Sequence, residues 1–567
     1  MIWIIIVGVI ALLTVTLIFS ARANLKKKAQ EAQLCLEELN RQAGVDEVIP
    51  TQFSVNWKRI PQFFFGSFAR NPLVRFKIVL LFIRLRAIVR LFRQEKVRQT
   101  PAAAAALASI SSLASRIGSL RGMKEEAETN CDVASAGLQA LRLYFAHTED
   151  SEFSQSRFDS CFRVNNAFNG SFHKYRTQDG RHFSFHVYYQ HQKEKMVKAL
   201  SMKKDAKDFT MESAKKDIPV LAQTVQNLEG EQLEELAFSC GASGCMLRSR
   251  EEWHTMDVGR AIQDMPLIRT EKQSSSAPRT NPLHQNQRGP LAGIRVLDLT
   301  HIIAGPACSR QLAEYGADVL LVRRKDFRSQ EQAFLELDGW AGKRAIDLDF
   351  NRPNDLARAK QLIREADVVV NSYQTGALDK FGLSEADIRS MNPQVIFGTQ
   401  MCFSDTVWKD RPGWAPLAED ITGLSIRNGS LEKPVNLNGV PLDYIPGFIL
   451  TVGVLEALRR SFEEGGGYTV RVSLARTAEW LHECTDLVEQ NTHSHHQKVA
   501  HQNSPQWHSL WEKAENTASG TVYFPQSAVA NPVIPRKTNR LQFTDGVDDW
   551  AHPLSVEEKD KEKIPTM

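Results

Sequence analysis

The 567-residue chain is short of three things. Cysteine is the first: there are eight, irregularly spaced. The closest two, Cys240 and Cys245, stand in SCGASGC with four residues between them and no second pair following. A zinc knuckle wants tighter, paired cysteines, so the thiols are read as reduced and structural, which fits a part of the chain facing the cytosol. Net charge is the second: 70 Lys+Arg against 66 Asp+Glu leaves +4. A balance so near neutral gives no case for a nucleic-acid partner. The third is the G-x-G-x-x-G fingerprint, absent after the first strand of the α/β region, which excludes a standard dinucleotide site there. What remains is ordinary globular composition, 42% hydrophobic and 24% charged. The length suggests two to four domains.

Charge is also missing locally. Residues 1–21, MIWIIIVGVIALLTVTLIFSA, carry no charged side chain and are long enough for a membrane-spanning helix. Arg22, Lys26, Lys27 and Lys28 follow, and no basic residue precedes the run, unlike a signal peptide. The positive-inside rule then puts the C-terminal side in the cytosol. A cleaved leader or a mistaken gene start are the alternatives, the second giving a soluble cytoplasmic protein. Residues 57–98 hold eleven Lys/Arg against one Glu. Within them, 77–98 read as a basic amphipathic helix suited to anionic lipid or to packing on its own protein.

Further along, PAAAAALASISSLASRIGSL (101–120) reads as a small-residue helix, HFSFHVYY (182–189) as strand-like and EQLEELAFSCGA (231–242) as helical. The Ser/Pro/Asn/Gln-rich stretch up to 289 reads as a linker. From 290 the pattern turns α/β. IRVLDLT (294–300), ADVVVNSY (366–373) and PQVIFGTQM (393–401) are strands alternating with helices, which predicts a Rossmann-like parallel sheet. A weak repeat relates 101–141 to 443–481: each is an apolar helix, a turn, a strand and a helix. The cluster THSHH (492–496), with His501 and His508, lies in a polar stretch and reads as a loop, not a metal site.

At PLAGIRVLDLTHIIAGPACSRQLAEYGADVLLVRR the chain resembles the opening of class III CoA-transferases, which include formyl-CoA transferase, carnitine CoA-transferase and α-methylacyl-CoA racemase. The resemblance continues through GKRAIDLDF (342–350), ADVVVNSYQTGALDKFGL (366–383) and IPGFILTVGVLEAL (445–458), and ends near TVRVSLARTAEWL (469–481). Residues 101–270 resemble the family's later half, so later half precedes earlier half, as in a fused and permuted two-copy form. The resemblance implies an α/β fold: a Rossmann-like parallel-sheet domain plus a small α+β domain, here behind an N-terminal transmembrane helix. The expected division is an anchor (1–21), a basic amphipathic membrane-proximal region (22–98), a partial first copy with its small domain (99–270), a linker (271–289), the Rossmann-like domain (290–485), a polar His-rich loop (486–519) and C-terminal strands with a tail (520–567).

The resemblance also implies a chemistry. Family transferases use an aspartate nucleophile that becomes an aspartyl-CoA thioester, and the matching residue is Asp443, in NGVPLDYIPGF before an apolar helix. From spacing alone Asp443 reads as a helix cap, and it is the family resemblance that points to a nucleophile. The first copy has no Asp or Glu from 96 to 123, so one active site per chain is expected. The matching CoA-binding positions are His301, Ile302, Ile303 and Ala304 in the turn after the first strand, with Arg324, Leu348, Ser372, Tyr373 and Lys380. Lys380 replaces a usual arginine, which weakens bidentate phosphate contact. No cofactor is expected to be permanently bound; coenzyme A is substrate and carrier. The partners implied are an acyl-CoA donor, a carboxylate acceptor, membrane lipid at the N-terminus and a second copy in a homodimer. The racemase branch has a His-Asp pair where Trp414 and Ala415 stand here, which favours transfer over racemisation. Glu419 and Asp420 nearby read equally as capping or solvent-exposed residues. An acyl-CoA racemase or isomerase, and a non-catalytic CoA-binding membrane protein, remain as alternatives.

Overall fold

The computed structural model describes residues 24, 27–45, 51–54, 95–123, 129–142, 147–148, 173–187, 189–209, 213–283, 289–324, 338–437, 439–491, 511–517, 520–525 and 529–530. The apolar run 1–21, the arginines of 84–93 and the histidines of 493–508 lie outside the described residues.

The part of 22–98 that is described differs from a membrane-facing segment. Residues 27–43 form a helix whose Ala29, Ala32, Leu36 and Leu39 recur at three- and four-residue spacing, so one face is apolar. That face, with Cys35, is buried in the main core. Lys28, expected in an orienting basic cluster, is 3% exposed and donates to Glu95 at 2.7 Å. Helix α1 (Gln99–Leu120) follows, and its run of alanines at 102–106 is completely buried. Small side chains let it lie close against another helix.

The small domain is built on an antiparallel sheet, β1 (Lys174–Arg176), β2 (His182–Phe185) and β3 (Gly244–Met246), with β2 central. Phe183, Phe185, Met196, Leu221, Val225 and Leu233 fill the layer between this sheet and its helices. Arg248 donates to both Glu234 carboxylate oxygens, at 2.8 and 2.7 Å, in a fork that suits a planar guanidinium.

The expected linker is tied to the main domain over its described part. Residues of β4 (Arg269–Lys272) form an antiparallel edge strand, and Arg279 donates to Asp367 at 2.5 Å. The main sheet continues with β5 (Arg295–Leu299), helix α2 (Ala304–Glu314), β6 (Asp318–Arg323), β7 (Arg344–Asp347), β8 (Val368–Asn371) and β9 (Ile396–Met401). Helices α3 (Ala415–Ile421) and α4 (Pro441–Glu463) precede β10 (Tyr468–Ser473), and α5 (Leu474–Asn491) ends the unit. The strand order is β7-β6-β5-β8-β9-β10-β4, with all neighbours parallel except β10 and β4. Crossovers cover both faces, so Val296, Leu297, Val368, Val369 and Val370 are all buried. The order reverses between β5 and β8, where Val368 pairs with Val296 and Asn371 with Leu299.

α1 and α4 are both long and apolar enough to cross a bilayer, but each is sheathed by protein and they pack on each other. The strand Thr129–Asp132 and helix Val133–Gln139 follow α1 as β10 and α5 follow α4. The expected His-rich loop is bounded by structure: α5 runs to Asn491, and Trp511–Thr517 is a strand paired with Gly520–Pro525. A further strand, Val529–Ala530, pairs with Thr129–Asp132.

Candidate active site

In an open α/β sheet the crevice lies beyond the carboxyl ends of the strands where their order reverses. Here that point carries the turn Thr300–Ile303 after β5 and Ser372–Tyr373 after β8. The turn is pinned from below by Asp298, which is completely buried. Its carboxylate accepts from Thr300 N at 3.0 Å, Ser309 Oγ at 2.6 Å and Lys343 Nζ at 2.7 Å. Lys343 also donates to the Pro306 carbonyl at 3.1 Å, joining the strand end to the first turn of α2. Ile302 has φ +69°, a left-handed conformation that costs a β-branched residue energy and marks strain held at a site. Gly305 has no room for a side chain: a Cβ would lie 2.6 Å from Thr300 Cβ and 2.8 Å from Ser372 Cβ.

His301 N donates to Ser372 Oγ at 3.1 Å, and the His301 and Tyr373 rings stack with centroids 4.7 Å apart. Burial pushes the His301 imidazole down to about 4, so it is neutral near pH 7. Burial raises the Tyr373 phenol, with Asp298 adding to the rise and Arg324 opposing it. Arg324 is exposed and close enough to act on Tyr373 and Asp349. Its neighbour Arg323 instead pairs with Asp347 at 2.8 Å and covers the Trp340 ring. Leu348 is buried beside them, its N–H on the Arg323 carbonyl at 2.8 Å. Lys380 is exposed on a turn whose Phe381 packs edge-on against Phe350. The structure therefore gathers His301, Ile302, Ile303, Ala304, Ser372 and Tyr373 at one crevice, with Arg324 at its edge. Among the described residues, no recorded contact joins Lys380 to them.

Asp443 enters from α4. Pro441 starts that helix without a lost hydrogen bond, and Asp443 sits in its first turn. One turn later, Gly447 lies on the turn described above: a Cβ there would come within 2.4 Å of the Ala304 carbonyl oxygen and 2.9 Å of Ala307 Cβ. Residues four apart share a helix face, so Asp443 is brought to the same side of the crevice. The side chain is partly exposed, yet protein surrounds the carboxyl enough for desolvation to dominate. Burial, and then the Glu419 charge, push it up to about 8. A helix N-terminus favours a carboxylate, so here burial outweighs the dipole.

Two clusters around Asp443 were not legible as such. Glu419 and Asp420, readable from sequence as capping or exposed residues, are 3% and 0% exposed. Glu419 accepts from Leu437 N at 2.8 Å and Asn436 Nδ2 at 2.9 Å. Asp420 accepts from Lys174 Nζ at 2.6 Å and faces His186 Nε2 at 3.4 Å. The second cluster lies beneath Tyr444, whose hydroxyl donates to Asp338. Arg142 Nε donates to the other Asp338 oxygen at 2.6 Å, and Arg310 pairs with Glu314 beside it. The signal available for the first was two adjacent acids inside the otherwise apolar APLAEDI; for the second there was none. Among the described residues, no cluster of His, Cys, Asp and Glu could hold a metal ion.

Comparison with known proteins bears on the same region. Residues 291–519 match the model of CoA-transferase family III. The chain is similar to the acyl-CoA transferase of Gibberella moniliformis, 32% identical over 272 residues that cover 45% of this chain and 47% of that protein. It is also similar to the succinyl-CoA–L-malate CoA-transferase beta subunit of Chloroflexus aurantiacus, 31% identical over 210 residues covering 35% and 51% of the two chains. The formyl-CoA:oxalate CoA-transferase of Escherichia coli O81 is 30% identical over 197 residues, covering 33% and 47%. The chain thus spans about half the length of the curated relatives it matches. The strained turn, the Gly447 contact and Asp443 all fall inside the family III segment.

Proposed function

We propose that the protein is an acyl-CoA:carboxylate CoA-transferase in which Asp443 is the nucleophile. The observation that carries the reading is the seating of α4 on the crevice turn, Gly447 against the Ala304 carbonyl, with Asp443 one turn earlier in a desolvated setting. The Asp443 carboxylate attacks the donor thioester carbonyl, the C–S bond breaks, and CoA leaves as thiolate. The product is a mixed anhydride. The thiolate then attacks the Asp443 carbonyl carbon and expels the donor carboxylate, leaving an aspartyl-CoA thioester. The acceptor carboxylate runs the two steps in reverse, which regenerates Asp443 as a carboxylate. Dividing one acyl exchange into steps of matched reactivity is the gain of covalent catalysis. An anhydride hydrolyses in water, and burial of the carboxyl serves to exclude it.

CoA is substrate and carrier in this scheme. The small residues Ala304, Gly305 and Ala307 let Thr300, Ser372 and Gly447 close against the crevice turn, and the N-terminus of α2 behind that turn would suit a CoA phosphate. Arg324 supplies exposed positive charge at the edge. The deciding experiment is mass spectrometry of the full chain after incubation with a panel of acyl-CoA donors and no acceptor. A CoA adduct on Asp443, lost in Asp443→Asn, is the expected result. Tight CoA binding without adduct or exchange across the panel would instead support a CoA-binding protein without catalysis. Exchange of the α-hydrogen of a 2-methylacyl-CoA with solvent deuterium would support a racemase.

Three finer points belong to the same reading. The two helix–strand–helix units, starting at α1 and α4, fit a fused two-copy ancestry. An interlocked homodimer would supply the second Rossmann-like domain that one chain lacks, and sizing of the purified protein tests it. Residues 1–21 would anchor the chain at a membrane with the catalytic part cytosolic. Retention in the pellet after alkaline carbonate extraction, lost on deleting 1–25, tests that.

A further inference from the structure

We propose that Lys174 is a positioning residue: its ammonium, from the small domain, joins α3 to the loop that leads into α4 and so fixes the segment that delivers Asp443. The inference rests on Asp443 being the nucleophile. Lys174 opens β1, paired with Ser184 of the central strand β2. Its Nζ lies 2.6 Å from Asp420 Oδ1 and 2.8 Å from Asn436 Oδ1. One acceptor is on α3 and the other on the loop, so a single cation spans the two segments.

Asn436 carries the link onward. Its Nδ2 donates to Glu419 Oε2 at 2.9 Å and to Asp420 Oδ1 at 3.2 Å. Leu437 N donates to the same Glu419 oxygen at 2.8 Å. The ammonium decides which way the Asn436 amide faces. An ammonium can only donate, so it takes Oδ1 and turns Nδ2 towards the two carboxylates. The opposite orientation would set N–H groups against a cation and an oxygen against two acids. Past Leu437, Gly439 has φ +86° and lies against Leu141 with no room for a side chain. The Val440 carbonyl then accepts from Asp443 N at 3.0 Å. The nucleophile is thus three residues beyond one pinned position and six beyond another.

Helix α3 has contacts of its own with the small domain. Cys245 Sγ, from β3, reaches the Leu417 carbonyl at 3.8 Å, and Arg248 N donates to the Asp420 carbonyl at 3.4 Å. The loop is held differently. Leu431 and Val435 are exposed on it, and Val435 N donates to the Ser425 carbonyl at 2.8 Å. Asn428 Nδ2 donates to the Asn436 carbonyl at 3.0 Å. Those bonds tie the loop back to the helix Leu424–Asn428 before it. The Asn436 side chain and Leu437 N tie it to α3, and Lys174 sets the polarity of that tie.

The test measures the rate of CoA-adduct formation on Asp443 against donor concentration, in the full chain, with the acyl-CoA that labels it. Asn436→Ala releases the loop but keeps the Lys174–Asp420 pair, so no buried charge is stranded. Its limiting rate should fall about tenfold or more, with the half-saturating donor concentration unchanged within about twofold. That split marks lost alignment, since misplacing a reacting group slows the step without weakening binding. Lys174→Met should fall at least as far. The double variant should be no slower than Lys174→Met, because both residues act through one link. Unchanged limiting rates in variants that urea titration shows to be folded would overturn the inference and leave the nucleophile assignment standing. Losses that multiply in the double variant would also overturn it. If Lys174→Met does not fold, Asn436→Ala decides alone. Absence of an adduct on the unsubstituted protein removes the nucleophile assignment, and the inference with it.

Discussion

Gly447 and Ala304 touch backbone to backbone. The gap between α4 and the crevice turn leaves no room for even a methyl group, since a Cβ on Gly447 would sit 2.4 Å from the Ala304 carbonyl oxygen. Gly447→Ala should therefore push α4 off the turn. The expected loss of stability is about 1–3 kcal/mol, typical of overpacking. Thermal unfolding measures it, and adduct formation on Asp443 should fall further than stability does because both partners of the crevice move.

Asp443 should make the protein less stable as pH rises. Its folded-state acid is pushed up to about 8, against about 4 in an unfolded chain. Below about pH 4 both states hold the proton. Between about 4 and 8 the unfolded state releases it first, so folding loses the difference progressively. Asp443→Asn removes this slope. Urea midpoints at pH 5 and pH 8 should be closer together in the variant than in the unsubstituted protein; equal spacing would contradict the raised acid.

Asp338 balances two arginines that have no exposure. Arg142 and Arg310 are 0% exposed, and Asp338 also holds the Tyr444 hydroxyl. Breaking a buried ion pair from one side strands the remaining charge, at a cost of about 3–5 kcal/mol. Asp338→Asn should show a loss of that order by chemical denaturation. Because Tyr444 adjoins Asp443, the variant should also label more slowly with acyl-CoA under conditions where it remains folded.

Tyr373 tests the crevice independently of Asp443. Its ring stacks on His301, and Ser372 before it accepts from the His301 N–H. Tyr373→Ala should weaken CoA binding about tenfold, roughly 1.4 kcal/mol, by removing the aromatic wall. Calorimetric titration with CoA reads this directly. An unchanged affinity would move the CoA site away from the β5–β8 reversal.

Much of the main domain was legible because its signals are local. Val368–Val370 is an unbroken apolar run and Val296, Leu297 and Leu299 are interrupted only by the buried Asp298, a pattern that suits strands covered on both faces, and the helices between them impose parallel order. The family motifs carried Asp443 and the turn His301–Ala304, and the structure gathers most of the matched positions. Lys380 is the exception: sequence set it beside the others, but it lies over Phe381 at an exposed turn.

What the sequence alone determined is therefore the identity of the strands, set by neighbours a few residues away, while the turn and the nucleophile candidate came from the family resemblance. What tertiary structure decided is charge. Glu419 and Asp420 are adjacent in sequence and alike in chemistry, yet Lys174, some 246 residues from Asp420, takes one of them while the other is held by Leu437 N and Asn436. Lys28 reads as part of the basic flank of a membrane anchor and is buried against Glu95. Arg142 meets Asp338 across 196 residues. A carboxyl's ionisation depends on desolvation and on which cation comes close, and both are fixed by packing between segments that carry no mark of each other.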